Sequence, residues 1–277
     1  KRKVNTHEYG FTYPPQLYEK LMPAVVPPSD VDGTTVTGLQ SYNMRDIDRL
    51  AEMTGMGPDT FQTHLYYIAE DLTMMGVARR MMDMMPGMDL TAVYFKSLDA
   101  AGHFFYRYHQ PDYAWRYKPE KEQVNVFSDT INNHYRLFDE WLAELMRGIP
   151  EDTVVVICSD HGMGPETVQE PDRTGFHTRA GVLAMYGGPV VRGKKILNAT
   201  QYDIAPTILY LMGLPVSEDM QGRVLEEAIS PEFMEQHPVR YTPTYEDKLY
   251  INVDEPVRDE ASSEREKKQL RALKYIQ

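Results

Sequence analysis

Residues 153–164 read TVVVICSDHGMG, an apolar run that ends abruptly in an acid and a histidine. A short run of β-branched residues without a charge is typical of a strand that is buried on both faces of a parallel sheet. In open α/β sheets, ligands bind at the carboxyl ends of the strands, which is where Asp160 and His161 fall. Both side chains are good ligands for divalent metals. Alone, the pair fits a capped turn at a strand end equally well.

A second acid and histidine follow a second predicted strand, DLTAVYFKSL at residues 89–98. Asp99 comes directly after this run, and His103 lies four residues further on. If the chain turns into a helix there, side chains at positions i and i+4 lie on one face and can bind one ion. The alternative interpretation of this short and common pattern is a helix-capping aspartate with an unrelated histidine one turn later.

The segment between the Asp99/His103 pair and the Asp160/His161 pair predicts how the two pairs come together in the fold. Residues 120–147 form the clearest helical pattern of the chain, with apolar residues at 3/4 spacing and a Gly-Ile-Pro stop. Strand, long helix and strand make a crossover unit, in which both strands run parallel in one sheet. Asp99 and Asp160 should therefore lie at the same edge of the sheet. The fold class predicted is α/β, with helices flanking a mainly parallel sheet.

His177 adds a third candidate position, in the stretch GFHTRAG at residues 175–181. It brings the candidate ligands to five nitrogen and oxygen donors without a thiolate: Asp99, His103, Asp160, His161 and His177. Such a set suits Zn²⁺ or Mn²⁺, with Zn²⁺ favoured, and clustered carboxylates suit two ions rather than one. Paired divalent ions are typical of enzymes that catalyse phosphoryl transfer.

Composition sets wide limits on function. The 277 residues are 42% apolar, enough for a large core, and the net charge of -12 argues against binding to a nucleic-acid backbone. Cys158 is the single cysteine, so no disulfide forms within the chain. No apolar run approaches the ~18 residues that span a bilayer, and no signal-peptide pattern is visible. The chain starts Lys1-Arg2-Lys3, which predicts a natural N-terminus further upstream and leaves the compartment open.

Three regions are predicted from the patterns along the chain. Residues 1–88 form a Pro-rich and helical region that packs on the core. Residues 89–228 form the metal-binding α/β core. Residues 229–277 form a polar tail.

Shorter elements are predicted within these regions. Helical patterns occur at residues 16–22, 43–54, 60–85, 203–212 and 262–275. A further strand is predicted at residues 182–186. Residues 104–117 are rich in aromatic side chains and are predicted to be a loop, which either lines a substrate entrance or packs against the domain.

In combination, these motifs resemble the alkaline phosphatase superfamily. The matching features are S-D-H-G after an apolar strand, D-x-x-G-H about sixty residues before it and G-x-H-x-x-x-G after it. The pattern is similar to the type I phosphodiesterase/nucleotide pyrophosphatase branch. Residues 202–225, which contain DIAPTILYLMGLP and QGR, look like a downstream signature of the superfamily, and residues 264–276 look like the end of many such domains.

The resemblance implies a site with two divalent metal ions. Carried over to this sequence, it assigns Asp99, His103 and His177 to one ion. Asp160 and His161 would be two of the ligands of the other ion.

The nucleophile segment of the family has no counterpart in this sequence. In the family, an Asp from the first strand and a Thr or Ser nucleophile complete the second site. No strand-like run ending in Asp precedes residue 40, and Thr34 and Thr35 follow no apolar strand, so neither is a good candidate. The expectation is an alkaline-phosphatase-like fold that is incomplete at its N-terminal side, as a fragment of a longer enzyme or after loss of the catalytic segment.

The function implied by the resemblance is metal-dependent hydrolysis of a small phosphate ester or nucleotide-like substrate, without a nucleic-acid or membrane-spanning partner. A sulfatase and a phosphomutase share the fold and stay open as alternatives. Sulfatases use a Cys or Ser in a C-x-P-x-R context, whereas Cys158 is followed by Ser-Asp-His. From a different class, the chain alone is also compatible with a non-catalytic metal-binding or interaction domain.

Overall fold

The computed structural model contains helices and short strands. It describes residues 12, 14–31, 45, 47–114, 118–165 and 174–245. The α-helices of these residues are α1 (Tyr18–Leu21), α2 (Ile47–Thr54), α3 (Pro58–Met84), α4 (Ser97–His109), α5 (Lys121–Phe127), α6 (Thr130–Leu145), α7 (Ile204–Leu211) and α8 (Pro231–Gln236). The strands are β1 (Val155–Cys158), β2 (Gly162–Pro165), β3 (Gly175–Thr178), β4 (Leu183–Tyr186), β5 (Val216–Ser217) and β6 (Tyr241–Thr242). This mixed content fits the predicted α/β class.

Two compact units divide the chain. One comprises Lys1–Pro23 and Thr244–Gln277, and its described residues include α1. The other, Ala24–Pro243, contains α2 to α8, the six strands and every candidate ligand. The predicted helix at 262–275 lies outside the described residues, as do Thr34 and Thr35.

Helix α3 confirms the helical pattern predicted at residues 60–85. Pro58 occupies its first turn, where a missing N–H leaves no helical hydrogen bond unmade. Phe61, Leu65 and Ile68 recur at 3/4 spacing and are buried, so they form the core-facing side of the helix. No helix in the described part of the chain is long and apolar enough to cross a membrane.

Helix α4 lies at the centre of the helical core. The loop predicted at residues 104–117 is wrong in its first part, because α4 continues to His109. The ring of Phe105 is fully buried, with centroids 6.2 Å from Phe61 and 5.3 Å from Phe127. The buried aromatic residues of α4, Phe104, Phe105 and Tyr108, therefore belong to the core between α3, α4 and α5 rather than to a substrate entrance.

The helix predicted at residues 120–147 is present as two helices, α5 and α6, separated by a turn at 128–129. Glu120 and Gln123 form a capping box that fixes the start of α5. Leu137 and Trp141 of α6 are buried one turn apart, which places α6 beside the core. The predicted helical pattern is thus confirmed, but its interruption at 128–129 is not predicted by the apolar spacing.

The strand predicted at residues 89–98 is wrong. Residues 91–96 have no regular secondary structure, and α4 begins at Ser97. An extended apolar run becomes a strand only beside a neighbouring strand, and among the described residues none pairs with this segment. The predicted strand–helix–strand crossover is therefore not formed.

The strands pair two by two. Strand β1 pairs antiparallel with β4, β2 pairs antiparallel with β3, and β5 pairs parallel with β6. Within the described residues, the predicted mainly parallel sheet is thus not confirmed. Strand β1 is bordered by one strand there, and Ile157 is 42% exposed, so β1 is not buried on both faces as its apolar sequence predicts.

One face of the β1–β4 pair packs against α7, the helix predicted at residues 203–212. Val156 and Met185 of the strands and Ile208 of the helix line one small apolar cavity between them. Asp203 occupies the N-cap position of α7, and its carboxylate accepts the N–H of Thr200 at 2.7 Å and that of Arg223 at 2.8 Å, which fixes the short turn before the helix. This packing covers one face of the β1–β4 pair.

Candidate metal centre

Helix α4 places the first two candidate ligands on one face. Asp99 lies in its first turn and His103 one turn further along. Their Oδ1 and Nε2 atoms are 3.5 Å apart. His103 is 1% exposed, so its imidazole is held inside the protein. The i, i+4 arrangement that the sequence predicts is present.

The start of β3 brings His177 to this face of α4. Thr174 donates its backbone N–H to the carbonyl oxygen of His103 at 2.7 Å. A Cβ at Gly175 would lie 2.3 Å from the carbonyl oxygen of Gly102, so only glycine permits this approach of the two backbones. His177, two residues later, therefore faces the two ligands on α4.

Three ligand atoms converge as a result. His177 Nε2 lies 2.9 Å from His103 Nε2 and 3.2 Å from Asp99 Oδ1. All three ligand atoms lie within 4.8 Å of one another. Among the described residues, these three are the acids and histidines whose ligand atoms lie close enough together to hold one metal ion.

A backbone hydrogen bond fixes the imidazole of His103. Its Nδ1 lies 2.8 Å from the carbonyl oxygen of Gly175, which can only accept, so Nδ1–H is the donor. The neutral ring then carries a lone pair on Nε2, directed at His177 and Asp99. A second-sphere contact of this kind is typical of metal-binding histidines.

His161 lies beside the same three residues. Its ring stacks on that of His177, with centroids 3.5 Å apart and planes inclined by 19°. Its Nδ1 donates to the carbonyl oxygen of Gly162 at 3.1 Å, and its Nε2 lies 3.7 Å from Asp99 Oδ1. Asp160 lies 3.6 Å from His161 Nε2, with its side chain 74% exposed. The two polar clusters of the sequence are thus brought together, although not by a crossover unit.

The turn after β1 carries His161 into this position. Ser159 Oγ accepts the N–H of Val182 at 2.9 Å and donates to the carbonyl oxygen of His161 at 3.1 Å. A Cβ at Gly181 would lie 2.1 Å from the carbonyl oxygen of Ser159, so the chain before β4 also requires a glycine here. Glycines at residues 175 and 181 therefore hold the two sides of the site close together.

The donor set of Asp99, His103 and His177 fits a divalent cation. In a tetrahedral zinc site with Zn–N distances of ~2.0–2.1 Å, neighbouring ligand atoms lie ~3.3 Å apart. The three separations between the ligand atoms, 2.9, 3.2 and 3.5 Å, bracket this value. Two imidazoles and one carboxylate match the preference of Zn²⁺, while Mn²⁺ takes the same donors with less preference for nitrogen.

Tyr94 interacts electrostatically with the acidic residues of the site. It lies on the segment before α4 and is 70% exposed. Partial desolvation of its hydroxyl raises the pKa of Tyr94, and the negative charges of Asp99 and Asp160 raise it further. The phenol therefore stays protonated at neutral pH and is able to donate a hydrogen bond.

Other residues near the site were not singled out from the sequence. Thr174 and Gly175 dock β3 on α4, and the only signal for them is the glycine two residues before a candidate ligand. In the helical core, His64 of α3 and His134 of α6 are both buried, with their Nε2 atoms 3.3 Å apart.

Aspartates and histidines that cluster in an α/β protein are suitable ligands for divalent metals. Such clusters are typical of enzymes that catalyse phosphoryl transfer. A family model described as type I phosphodiesterase / nucleotide pyrophosphatase matches residues 5–194. The chain therefore belongs to the type I phosphodiesterase/nucleotide pyrophosphatase family, within the alkaline phosphatase superfamily, whose members act on small phosphate-ester substrates. The resemblance inferred from the motifs is confirmed.

Two curated relatives are phosphomutases. The 2,3-bisphosphoglycerate-independent phosphoglycerate mutase of Cereibacter sphaeroides (strain ATCC 17025 / ATH 2.4.3) is 38% identical over 78 residues, which cover 27% of this chain and 15% of the relative. The enzyme of the same name from Paracoccus denitrificans (strain Pd 1222) is 38% identical over 74 residues, 25% of this chain and 14% of the relative. The matched stretch thus spans a small part of each relative's length. No solved structure matches the chain significantly.

Proposed function

We propose that this chain contributes the metal-binding part of a metal-dependent phosphoric ester hydrolase of phosphodiesterase or nucleotide pyrophosphatase type. The observation that carries the proposal is the convergence of Asp99 Oδ1, His103 Nε2 and His177 Nε2, with separations of 2.9 to 3.5 Å. Membership of the family supports the reaction class. The net charge of -12 agrees with a small phosphate ester or nucleotide-like substrate better than with a nucleic-acid backbone.

The donor atoms of the five candidate residues suggest how they divide between two metal ions. Asp99, His103 and His177 would hold one divalent ion, with Zn²⁺ favoured over Mn²⁺. Asp160 and His161 would contribute to a second ion at the exposed side of the site. A hydroxyl nucleophile from Thr or Ser is part of the proposal, and none is identified among the described residues.

The residues of the chain prepare the site for metal ions in two ways. The carbonyl oxygens of Gly175 and Gly162 accept Nδ1–H from His103 and His161, which directs the Nε2 atoms of both rings into the site. Asp99 supplies the negative charge that faces these nitrogens. When bound, the ions neutralise charge on a phosphoryl group and lower the pKa of an attacking hydroxyl.

The proposal is tested by metal analysis and turnover on the purified chain. The metal content is measured after loading with Zn²⁺ or Mn²⁺ and removal of excess, together with hydrolysis of bis-(p-nitrophenyl) phosphate. Bound metal with turnover that disappears in His177→Ala supports the full proposal. Bound metal without turnover supports the metal-binding part and places the nucleophile elsewhere. A chain without bound metal contradicts the proposal and favours an interaction domain.

A phosphomutase is the second candidate function, because both curated relatives are named phosphoglycerate mutases. A mutase returns the phosphoryl group to its substrate, whereas a hydrolase releases it to water. The two are separated by incubating the metal-loaded protein with 3-phosphoglycerate. Formation of 2-phosphoglycerate without inorganic phosphate favours the mutase, and hydrolysis of the diester without isomerisation favours the hydrolase.

A further inference from the structure

Helix α4, which carries Asp99 and His103, starts without a cap of its own. Lys96 occupies the N-cap position, and no side-chain hydrogen bond is made from it to the first turn. The first N–H groups of a helix have no partner within the helix and need an acceptor from elsewhere. The preceding residues 91–96 have no regular secondary structure.

Asp71 of α3 supplies this acceptor from across the core. Its Oδ1 accepts the N–H of Lys96 at 2.8 Å, and its Oδ2 accepts the N–H of Ser97 at 2.7 Å. Asp71 is 1% exposed and Ser97 is 0% exposed, so the contact is shielded from water. A buried carboxylate bound by two N–H groups at a helix start also interacts favourably with the helix dipole.

This contact lies two residues before Asp99 in the chain. Asp99 Oδ1 is the atom shared by the site, 3.2 Å from His177 Nε2, 3.5 Å from His103 Nε2 and 3.7 Å from His161 Nε2. A helix moves as a rigid rod over one turn, so a shift at Ser97 is transmitted to Asp99. At these separations, a displacement of ~1 Å changes which ligands reach one ion.

We infer that Asp71 is a positioning residue, which fixes the start of α4 so that Asp99 and His103 meet His177 in the geometry of a metal site. The inference rests on the proposed function, since it concerns the same site. Asp71 itself lies on a different helix from the ligands and is not assigned a ligand role. Its action is through the backbone of Lys96 and Ser97.

The main test is a Co²⁺ titration of the metal-free protein, followed by its visible absorption bands, which report the coordination geometry. Asp71→Asn retains the shape of the side chain but replaces one acceptor with a donor, which opposes a backbone N–H. We expect Asp71→Asn to bind Co²⁺ ~10–100-fold more weakly, the usual effect of losing an outer contact of a metal site, and to show altered bands.

Met75→Ala is the matched control. Met75 is a buried residue of the same helix, one turn from Asp71. Its truncation lowers thermal stability by leaving a cavity but leaves the start of α4 in place. Met75→Ala should therefore keep the Co²⁺ affinity and the absorption bands of the wild-type protein.

If Asp71→Asn does not fold, hydrogen exchange of the wild-type protein tests the inference instead. Coupling between two sites is reciprocal, so metal binding must strengthen the Asp71 contact if that contact strengthens metal binding. Hydrogen exchange of the Lys96 and Ser97 amides should slow on adding Co²⁺ more than exchange of the Met212 amide, which caps α7.

The outcomes separate the inference from the proposed function. A wild-type protein that does not bind Co²⁺ contradicts the proposed function, and the inference with it. If the wild type binds Co²⁺ but Asp71→Asn binds equally well with unchanged bands, the proposed function stands and the inference is overturned. Equal slowing of exchange at Lys96, Ser97 and Met212 also overturns it.

Discussion

The Nε2 atoms of His103 and His177 lie 2.9 Å apart, although 74 positions separate the two residues in the chain. Because His103 donates Nδ1–H to the carbonyl oxygen of Gly175, its neutral ring directs a lone pair at His177. Two imidazole nitrogens at this distance must share a proton or a cation. Asp99 Oδ1 lies 3.2 Å from His177 Nε2, so the three atoms form a donor set of the kind that divalent cations prefer.

Gly175→Ala should damage both the fold and the site. The added Cβ would lie 2.3 Å from the carbonyl oxygen of Gly102, a backbone atom that cannot move away without shifting α4. Overpacking of this kind typically costs ~1–3 kcal/mol. We expect a lower free energy of unfolding in urea and weaker Zn²⁺ binding, because β3 can no longer bring His177 to His103.

Gly57→Ala is the control for this substitution. Gly57 precedes α3, has no atom within 4 Å of an added Cβ and has a φ of -62°. Its replacement should cost less than ~1 kcal/mol and leave Zn²⁺ binding unchanged. Equal effects of the two substitutions would show that the approach of β3 to α4 is not what holds the site.

Asp99→Asn and Asp160→Asn should have different effects on metal binding. Asp99 faces three imidazole nitrogens at 3.2 to 3.7 Å, whereas Asp160 contacts only His161 within the site, at 3.6 Å. Loss of the Asp99 charge should weaken the tighter Zn²⁺ binding step by more than ~100-fold, beyond the effect of an outer contact.

Asp160→Asn is predicted to leave the tighter binding step in place and to reduce only a second, weaker one. Both steps are measured by competition with a chromophoric chelator. An Asp160→Asn protein that loses the tighter step as Asp99→Asn does would contradict the division of the ligands between two ions.

The buried pair His64 and His134 predicts a loss of stability in acid. Burial lowers the pKa of His134 to about 4, and burial together with the neighbouring His134 lowers the pKa of His64 well below its ordinary value of 6.5. The unfolded chain binds protons below pH 6.5, whereas the folded chain does not. The free energy of unfolding should therefore fall as the pH drops from 6.5 towards 4, with His134 alone contributing roughly 2 kcal/mol at pH 5 and His64 acting in the same direction.

The double variant His64→Phe and His134→Phe tests this explanation. Phenylalanine keeps the aromatic volume of the core and removes both titrating groups. The free energy of unfolding in urea is compared at pH 7 and pH 5 for the wild type and the variant. Both proteins contain the same histidines at the metal centre, so a difference between them reports on His64 and His134. The variant should lose less stability over this range than the wild type, and an identical loss would exclude the buried pair as its source.

Asp203→Ala should destabilise the packing of α7 without affecting metal binding. Asp203 is 5% exposed and accepts hydrogen bonds from Thr200 N, Thr200 Oγ and Arg223 N at 2.7, 3.0 and 2.8 Å. Burial alone would raise the pKa of Asp203, but these hydrogen bonds lower it, so the group is bound as the carboxylate. Loss of these bonds should cost ~2–4 kcal/mol.

Glu218→Ala is the control for this prediction, because Glu218 is exposed. It should change the urea midpoint little, and both variants should keep the Zn²⁺ affinity of the wild type. A stable Asp203→Ala protein would contradict the role assigned to the carboxylate.

The helices could be predicted from the sequence because their apolar spacing is local. The patterns at residues 60–85 and 120–147 correspond to α3 and to α5 with α6, although the turn at 128–129 was missed. Phe105 shows that composition alone does not predict whether a residue lies in a loop or in a buried helix. The aromatic composition of residues 104–117 predicts a loop, but Phe104, Phe105 and Tyr108 are buried in α4.

The strands could not be predicted as well, because a strand depends on its neighbours. Residues 91–96 have the composition of a strand, yet among the described residues no strand lies beside them. The apolar run in β1 predicts burial on both faces, but Ile157 is 42% exposed. The pairing of β1 with β4 and of β2 with β3 depends on contacts that the local sequence does not contain.

The candidate ligands were identified from residue type and spacing, whereas their arrangement was not. Asp99 and His103 share a helical face, as their i, i+4 spacing predicts. The approach of His177 to Asp99 and His103 depends on Thr174 and Gly175, whose side chains are not candidate metal ligands. Their role is visible only when β3 is seen against α4.

Zn²⁺ binding by the metal-free chain is the measurement that tests the central claim most directly. Wild type, His177→Ala and His237→Ala are compared by competition with a chromophoric chelator. His237 follows α8 and bonds to the carbonyl oxygen of Phe233, so it serves as a histidine outside the site. The wild type and His237→Ala should bind Zn²⁺ with equal affinity, and His177→Ala should bind more than ~100-fold more weakly. Equal binding by all three proteins, or none by the wild type, would contradict a metal centre formed by Asp99, His103 and His177.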